Sequence, residues 1–227
     1  MRLAILSGDA ELTQLTSSTL GSEGCVCHHF ATGSALLSAL RRETFDLLVL
    51  DHALPDMNGV RVLNTIRAII STQIPVIYVT SMRGERDEIS ALNAGADACL
   101  NRPLDAAVLR ARASSVLRRA RAVRLIHVDE SDSAFEFDPV ACSVLRNGTA
   151  IHLTVRQFRL ALLFYQHIGT TLSREHILDL IWKGEAEVNM RTVDTQISRL
   201  RAKLRLAPEN GYQLTSVRGC GYRLDRI

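Results

Sequence analysis

In the first half of the chain, short apolar runs alternate with stretches whose apolar residues recur every three or four positions. The runs Leu3–Leu6, Cys25–Phe30, Asp46–Leu50, Pro75–Val79 and Ala98–Leu100 predict strands, and the stretches between them predict helices. Leu63, Ile66 and Ile70 mark one such helix, and Val108, Leu109, Val116 and Leu117 form the apolar face of the last. Strict alternation of strands and helices requires parallel strands joined by helical crossovers, so the expected fold class is α/β, a doubly wound five-stranded parallel sheet. Ligands bind such sheets at the carboxyl ends of the strands. Asp51 follows Leu47-Leu48-Val49-Leu50 and Thr80 follows Val76-Ile77-Tyr78-Val79, so both are expected to face that crevice.

The pattern then changes. Arg118-Arg119-Ala120-Arg121 is read as the end of the fifth helix, and the polar, acidic stretch His127 to Ser133 as the boundary, giving a first domain at 1–118, a linker at 119–127 and a second domain at 128–227. Phe135–Asp138, Ser143–Arg146 and Ala150–Leu153 predict short strands, with the turn-forming pair Asn147-Gly148 between the last two. Thr154 followed by Gln157 is a capping box opening one helix, and Ser173 caps a second that carries Ile177, Leu178 and Ile181. On a third helix Val193, Ile197, Leu200 and Leu204 face the core, which sets Thr192, Gln196, Arg199 and Lys203 on the opposite side. Tyr212–Val217 and Gly221–Leu224, joined through Arg218-Gly219-Cys220, close the chain as a hairpin. Strands, three helices and a terminal hairpin describe a winged helix-turn-helix.

Charge sharpens the division. Residues 1–118 carry 11 Arg, no Lys and 12 acids, a net −1, whereas residues 119–227 carry 16 basic residues against 12 acids, a net +4. Arg191 to Arg205 holds five basic residues and one acid, Asp194, a density suited to a phosphate backbone. Of 227 residues, 47% are hydrophobic, enough for real cores, but no uncharged apolar run approaches membrane-spanning length. The start, MRLAILSGDAEL, lacks the apolar core of a signal peptide, so the expected location is cytoplasmic, with no membrane partner. The cysteines at 25, 27, 99, 142 and 220 form no metal-ligand or redox spacing and are read as reduced thiols.

The segments LTVRQFRLALLF, LSREHILDLIW, RTVDTQISRLRAKL and TSVRGCGYRL, with FDLLVLDHALPDMNG and PVIYVTS in the first half, resemble the OmpR/PhoB-type two-component response regulators across essentially the whole chain. The resemblance implies a flavodoxin-like receiver joined to a winged-helix domain, a non-enzymatic regulator of transcription whose partner is double-stranded DNA. It implies that the third helix enters the major groove and that the hairpin, through Arg218, reaches the adjacent minor groove. Arg191, Thr192, Gln196, Arg199, Arg201, Lys203 and Arg218 are the DNA-binding candidates, since guanidinium forks suit guanine edges and phosphates.

In the receiver, Asp51 matches the family's phosphoacceptor and Thr80 its pocket threonine, but the equipment for phosphoryl transfer departs from the family. The family places two adjacent acids after the first strand to bind Mg²⁺, whereas Ser7 and Gly8 stand there and Asp9 comes one place late. Arg102 replaces the lysine before Pro103, and its planar fork is able to pair with Asp51 bidentately. Cys99 stands in place of the aromatic that changes orientation on activation, and Cys220 lies in the closing hairpin. Asp51, Asp9, Thr80 and Arg102 thus form a pocket expected to bind Mg²⁺ weakly or not at all, with no other metal or cofactor.

The expected function is a sequence-specific DNA-binding regulator acting as a receiver-mediated homodimer without phosphorylation; the alternative is conventional Mg²⁺-dependent activation at Asp51, within a phosphorelay. Asp97 and Arg112 match charged positions of the family's dimer face, while Ala98 and Val108 replace its acids. The segment Lys183 to Met190 lies where the family contacts RNA polymerase, and a cognate histidine kinase is left open.

Overall fold

The computed structural model describes all residues except 23, 71–73, 81–84, 126–134, 139–140, 147 and 184–187; for 69–70, 85 and 121–125 it describes the backbone alone. The chain separates into two compact units, Met1–Val123 and Arg124–Ile227.

The first unit runs β1 (Arg2–Leu6), α1 (Ala10–Gly21), β2 (Val26–Phe30), α2 (Gly33–Ala39), β3 (Leu47–Asp51), α3 (Gly59–Thr65) with a π-helical turn at Ile66–Ile70, β4 (Val76–Thr80), α4 (Glu85–Asn93), β5 (Ala98–Asn101) and α5 (Ala106–Leu125). All strand pairs are parallel, in the order β2-β1-β3-β4-β5. The order reverses beside β1, which opens the crevice at the carboxyl ends of β1 and β3. Successive strand residues face opposite sides. Leu3, Ile5, Leu47 and Val49 pack with Leu109 and Val116 of α5, whereas Ala4, Leu6, Leu48 and Leu50 pack with Leu36, Val62 and Leu63 of α2 and α3. A sheet covered on both faces needs continuously apolar strands, and β1, β3 and β4 are buried at every residue.

Several boundaries differ by a residue or more from the sequence reading, and three of them matter most. β3 and β4 extend one residue further, so Asp51 and Thr80 end their strands rather than follow them, each still paired in the ladder. Helix α5 continues past Arg121 to Leu125, through part of the expected linker, because Ala122-Val123-Arg124-Leu125 contains neither Gly nor Pro and the helix has no local reason to stop.

The second unit contains β6 (Phe135–Asp138), β7 (Ser143–Arg146), β8 (Thr149–His152), α6 (Val155–Gln166), β9 (Thr171–Ser173), α7 (Arg174–Ile181), α8 (Met190–Leu204), a 3-10 turn at Pro208–Asn210, β10 (Tyr212–Val217) and β11 (Gly221–Arg226). Strands β6, β7 and β8 form one antiparallel sheet, with β8 starting one residue earlier than the sequence suggests. Of the turn between β7 and β8, Asn147 lies outside the described residues, while Gly148 has φ +75°. Thr154 and Gln157 make both bonds of the capping box, and Ser173 caps α7. β9 was not expected from sequence: it is three residues long and exists through its pairing with β11. Val193, Ile197, Leu200 and Leu204 of α8 are buried with Trp182, Phe158 and Phe164, as their spacing implies.

Candidate functional site

The crevice of the first unit is assembled from the ends of β1, β3 and β5. It is an open cavity of about 520 Å³ lined by Gly8, Asp9, Asp51, His52, Ala53, Leu54, Pro55 and Arg102. Asp51 is 2% exposed. Its Oδ2 accepts from Ser7 Oγ at 2.7 Å and from Arg102 Nη2 at 2.7 Å. The other arm of the fork, Nη1, donates to Asp9 Oδ2. Arg102 therefore bridges two carboxylates rather than clasping Asp51 bidentately, which corrects the expected geometry. The reason lies in Asp9: as the N-cap of α1 it accepts from Glu11 N at 2.8 Å through Oδ1, which leaves Oδ2 turned to the guanidinium. The Arg102 bond, followed by the amide bond from Glu11, holds the Asp9 carboxyl below the usual range. For Arg102, burial opposes the charge, but the bonds and attraction of Asp9 and Asp51 outweigh it and make the guanidinium more basic than usual.

Thr80 is fully buried at the end of β4 but does not line the cavity; its hydroxyl donates to Asn101 Oδ1. Asn101 and Ser7 are the residues that sequence reasoning missed. Ser7 registers there only as the loss of an acid, yet its hydroxyl bonds Asp51 and accepts from Asp9 N at 3.0 Å.

A second carboxylate, Asp56, anchors the loop after β3 to the N-terminus of α2. It accepts from Gly33 N at 2.9 Å, Ser34 N at 3.0 Å and the Ser34 hydroxyl. The Ser34 hydroxyl and then the two amides lower its pKa from 3.8 to about 2. A carboxyl depressed on folding contributes stability above its unfolded pKa and loses it as pH falls through the folded one. Thermal melts should therefore show a gap between wild type and Asp56→Ala that is constant above about pH 4 and closes toward pH 2. A gap unchanged across that interval would show that the charge of Asp56 plays no part.

On the expected dimer face, Asp97 is already engaged within its own unit, accepting from Arg67 Nη2 at 3.0 Å and from Val76 N at 2.8 Å. Arg112 is exposed on α5. Cys99 is half-buried, its thiol directed at Glu88 O, and burial pushes it up to about 11. Burial likewise raises Cys220. Neither has the depressed pKa of a reactive thiol.

In the second unit, α8 presents Arg191 and Arg199 in the open, and Arg218 is exposed at the β10–β11 turn. The one acid of α8 is spent internally: Asp194 accepts from Tyr222 Oη at 2.6 Å and Arg174 Nε at 2.9 Å, with Arg174 stacked over the Tyr222 ring. This leaves the outward charge of α8 basic and ties its first half to α7 and β11. Thr192 and Gln196 are half-buried, and Arg201 is half-buried with Nε enclosed, so these three are less open than the helical spacing implies. Lys203 is exposed, but its Nζ turns back to donate to Gln157 Oε1 at 3.1 Å and His152 O at 3.3 Å. The same Gln157 oxygen closes the capping box of α6, and this acceptor draws the ammonium inward.

Residues 4–114 match the family described as "Response regulator receiver domain", and residues 148–224 the one described as "Transcriptional regulatory protein, C terminal". The chain is 33% identical over 227 residues to the transcriptional regulatory protein AfsQ1 of Streptomyces coelicolor, across 98% of this chain and 97% of that one. It is 32% identical over 226 residues to the sensory transduction protein RegX3 of Mycobacterium tuberculosis, across 97% of each. Among solved structures, a two-component response regulator from Clostridium difficile superposes with a TM-score of 0.50 at 26% identity, over 53% of this chain and 98% of that one. Among the described residues, no helix is long and apolar enough to cross a membrane.

Proposed function

Because this chain belongs to the OmpR/PhoB-type two-component response regulators, we propose that it is a sequence-specific transcriptional regulator whose receiver serves as a dimerisation unit without phosphorylation of Asp51. The role of transcriptional regulator with a DNA-binding domain comes with the family. Independence from phosphorylation rests on one observation, the Arg102 bridge between Asp9 and Asp51.

Phosphoryl transfer to a carboxylate calls for a free oxygen and a divalent cation held by well-placed carboxylates. Here one oxygen of Asp51 takes two bonds, Asp9 is drawn to the same guanidinium, and the two positions after β1 offer a hydroxyl and no side chain. This donor set does not fit Mg²⁺, which would have to displace a fixed cation bound to both carboxylates. No step of the proposed activity runs through a metal, and no catalytic activity is proposed.

The dimer reading rests on exposure. Ile89 and Leu92 on α4 and Val108 on α5 are 58%, 46% and 48% exposed. The α4 sequence opens Glu85-Arg86-Asp87-Glu88, while α5 carries six arginines and no acid. A two-fold contact sets the acidic helix of one protomer against the basic helix of its partner. Exposed ion pairs contribute about 0–1 kcal/mol each, so the apolar residues supply most of the binding and the charges fix the orientation. Two winged helices on one dimer would read half-sites about one helical turn apart. RNA polymerase is a further proposed partner, through Lys183 to Met190, of which 184–187 lie outside the described residues.

The test is the intact mass of the protein after incubation with a small-molecule phosphodonor and Mg²⁺, beside Asp51→Ala. We expect no added phosphoryl mass, and we expect Asp51→Asn to leave DNA affinity and promoter output unchanged. A phosphoryl adduct present only in the wild type, together with loss of output in Asp51→Asn, would establish the conventional reading in its place.

A further inference from the structure

The chain between α8 and the closing hairpin is held by a residue that belongs to neither. Helix α8 ends at Leu204 and β10 begins at Tyr212. Between them lie Arg205, whose φ of +48° is in the left-handed region, the buried Leu206 and the 3-10 turn Pro208–Asn210. The backbone bonds of this connector are local: Leu206 N donates to Arg201 O at 3.0 Å, Asn210 N to Ala207 O at 2.8 Å and Gly211 N to Pro208 O at 3.0 Å. Each shapes one turn, and none of the three fixes the distance from the end of α8 to the start of β10.

Arg146 spans that distance. It is the last residue of β7, the central strand of the β6-β7-β8 sheet, in which Val144 is fully buried. Its Nη1 donates to Leu204 O at 3.0 Å and its Nη2 to Asn210 O at 3.2 Å. Leu204 O belongs to the last turn of α8, where carbonyls lack helical partners and the helix dipole favours a cation. One planar fork thus joins both ends of the connector, a span that the single ammonium of a lysine does not reproduce. The guanidinium carbon lies 5.3 Å from the centre of the Phe135 ring, and that buried ring meets Tyr212, the first residue of β10, edge-on at 5.2 Å. The fork is therefore backed by core, and all of these contacts lie within one compact unit.

Arg199 stands on α8, and Arg218 directly follows β10. A duplex that takes both arginines at once requires the helix and the hairpin at a fixed spacing, and elements held in their binding geometry beforehand lose less affinity to ordering. We infer that Arg146 is a positioning residue for DNA recognition: without touching DNA, it holds α8 and the β10–β11 hairpin at the spacing that lets both engage one duplex. The inference rests on the DNA-binding role of the second unit and is independent of how the receiver is controlled.

The experiment uses the full chain, a duplex that the wild type selects from a random pool, and an unselected duplex. Fluorescence anisotropy across a range of salt concentrations gives both affinities for wild type, Arg146→Gln and Arg146→Lys, well below the melting temperature of each. Both variants should bind the selected duplex about tenfold more weakly, since neither side chain bonds both carbonyls. Affinity for the unselected duplex and the slope of log affinity against log salt should stay at their wild-type values, because no phosphate contact is removed. A role confined to stability would lower the melt and leave the ratio of the two affinities unchanged, and that result would overturn the inference. A slope shallower by about 0.9 in Arg146→Gln, the value for one phosphate contact, would overturn it by making Arg146 a direct contact. A wild-type ratio in Arg146→Lys would overturn the need for a two-armed span, and this variant decides alone if Arg146→Gln does not fold. A wild-type chain that binds neither duplex would overturn the DNA-binding role itself, a failure distinct from the others.

Discussion

Replacing Gly221 by Ala is expected to destabilise the second unit by about 3 kcal/mol or more and to abolish DNA binding with it. A Cβ at Gly221 would lie 1.9 Å from Leu172 O and 2.7 Å from Ser173 Cα, both backbone atoms of β9, which no rotamer change relieves. Gly221 is the register partner of Ser173, and Ser173 caps α7 through His176 N at 3.1 Å. Forcing β11 away from β9 would thus break the strand pairing, expose Leu172 and loosen the start of α7 together. Trp182 is the single tryptophan of the chain and lies buried in this unit, so its fluorescence during denaturant unfolding reports the second unit alone. Gly219→Ala is the matched control: φ is +74° but no atom lies within 4 Å of a new Cβ, so its cost should stay at about 1 kcal/mol. Equal effects of the two substitutions would show that conformation at the turn, and not the close approach of β9, makes glycine necessary at 221.

The second large effect is expected at the DNA surface. Arg199→Ala and Arg218→Ala should each weaken binding to a selected operator by about 1–3 kcal/mol, roughly 5- to 150-fold, because each removes an exposed guanidinium from the helix or hairpin turn that the family presents to DNA. The two lie on separate elements, so their effects should add. Lys203→Ala should cost DNA affinity less and stability more, since its ammonium is bonded to Gln157 and His152. Fluorescence anisotropy with an operator chosen from random duplexes, paired with a melt of each variant, separates the two quantities. Full affinity in Arg199→Ala would mean that α8 does not read the groove.

These effects differ in how far the sequence alone foretells them. The spacing of Val193, Ile197, Leu200 and Leu204 is enough to bury one side of α8 and leave arginines on the other, because helix periodicity is a local property. The outcome for Lys203 is different: its long side chain reaches a helix 46 residues away in sequence, and periodicity places a Cβ without placing an ammonium. β9 is invisible for a related reason, since three residues have no period of their own and become a strand only when β11 arrives beside them. In the receiver, the absence of an acid at positions 7 and 8 and the presence of Arg102 are plain in the sequence, and they suffice to predict an altered pocket.

The order of the elements other than β9, the two cores, the placing of Asp51 and Arg102 about the ends of strands, and the division of charge are all set by patterns within a few residues of one another. Packing between distant segments decides that Arg102 bridges Asp9 and Asp51 across 93 and 51 residues of chain, that Ser7 completes the carboxylate's bonds, and that Asp194 of α8 is bonded to Tyr222 and Arg174. The physical reason is directional. A buried carboxylate takes whichever donors the fold brings within about 3 Å, and that choice depends on which loops meet at the end of the sheet, which only packing fixes.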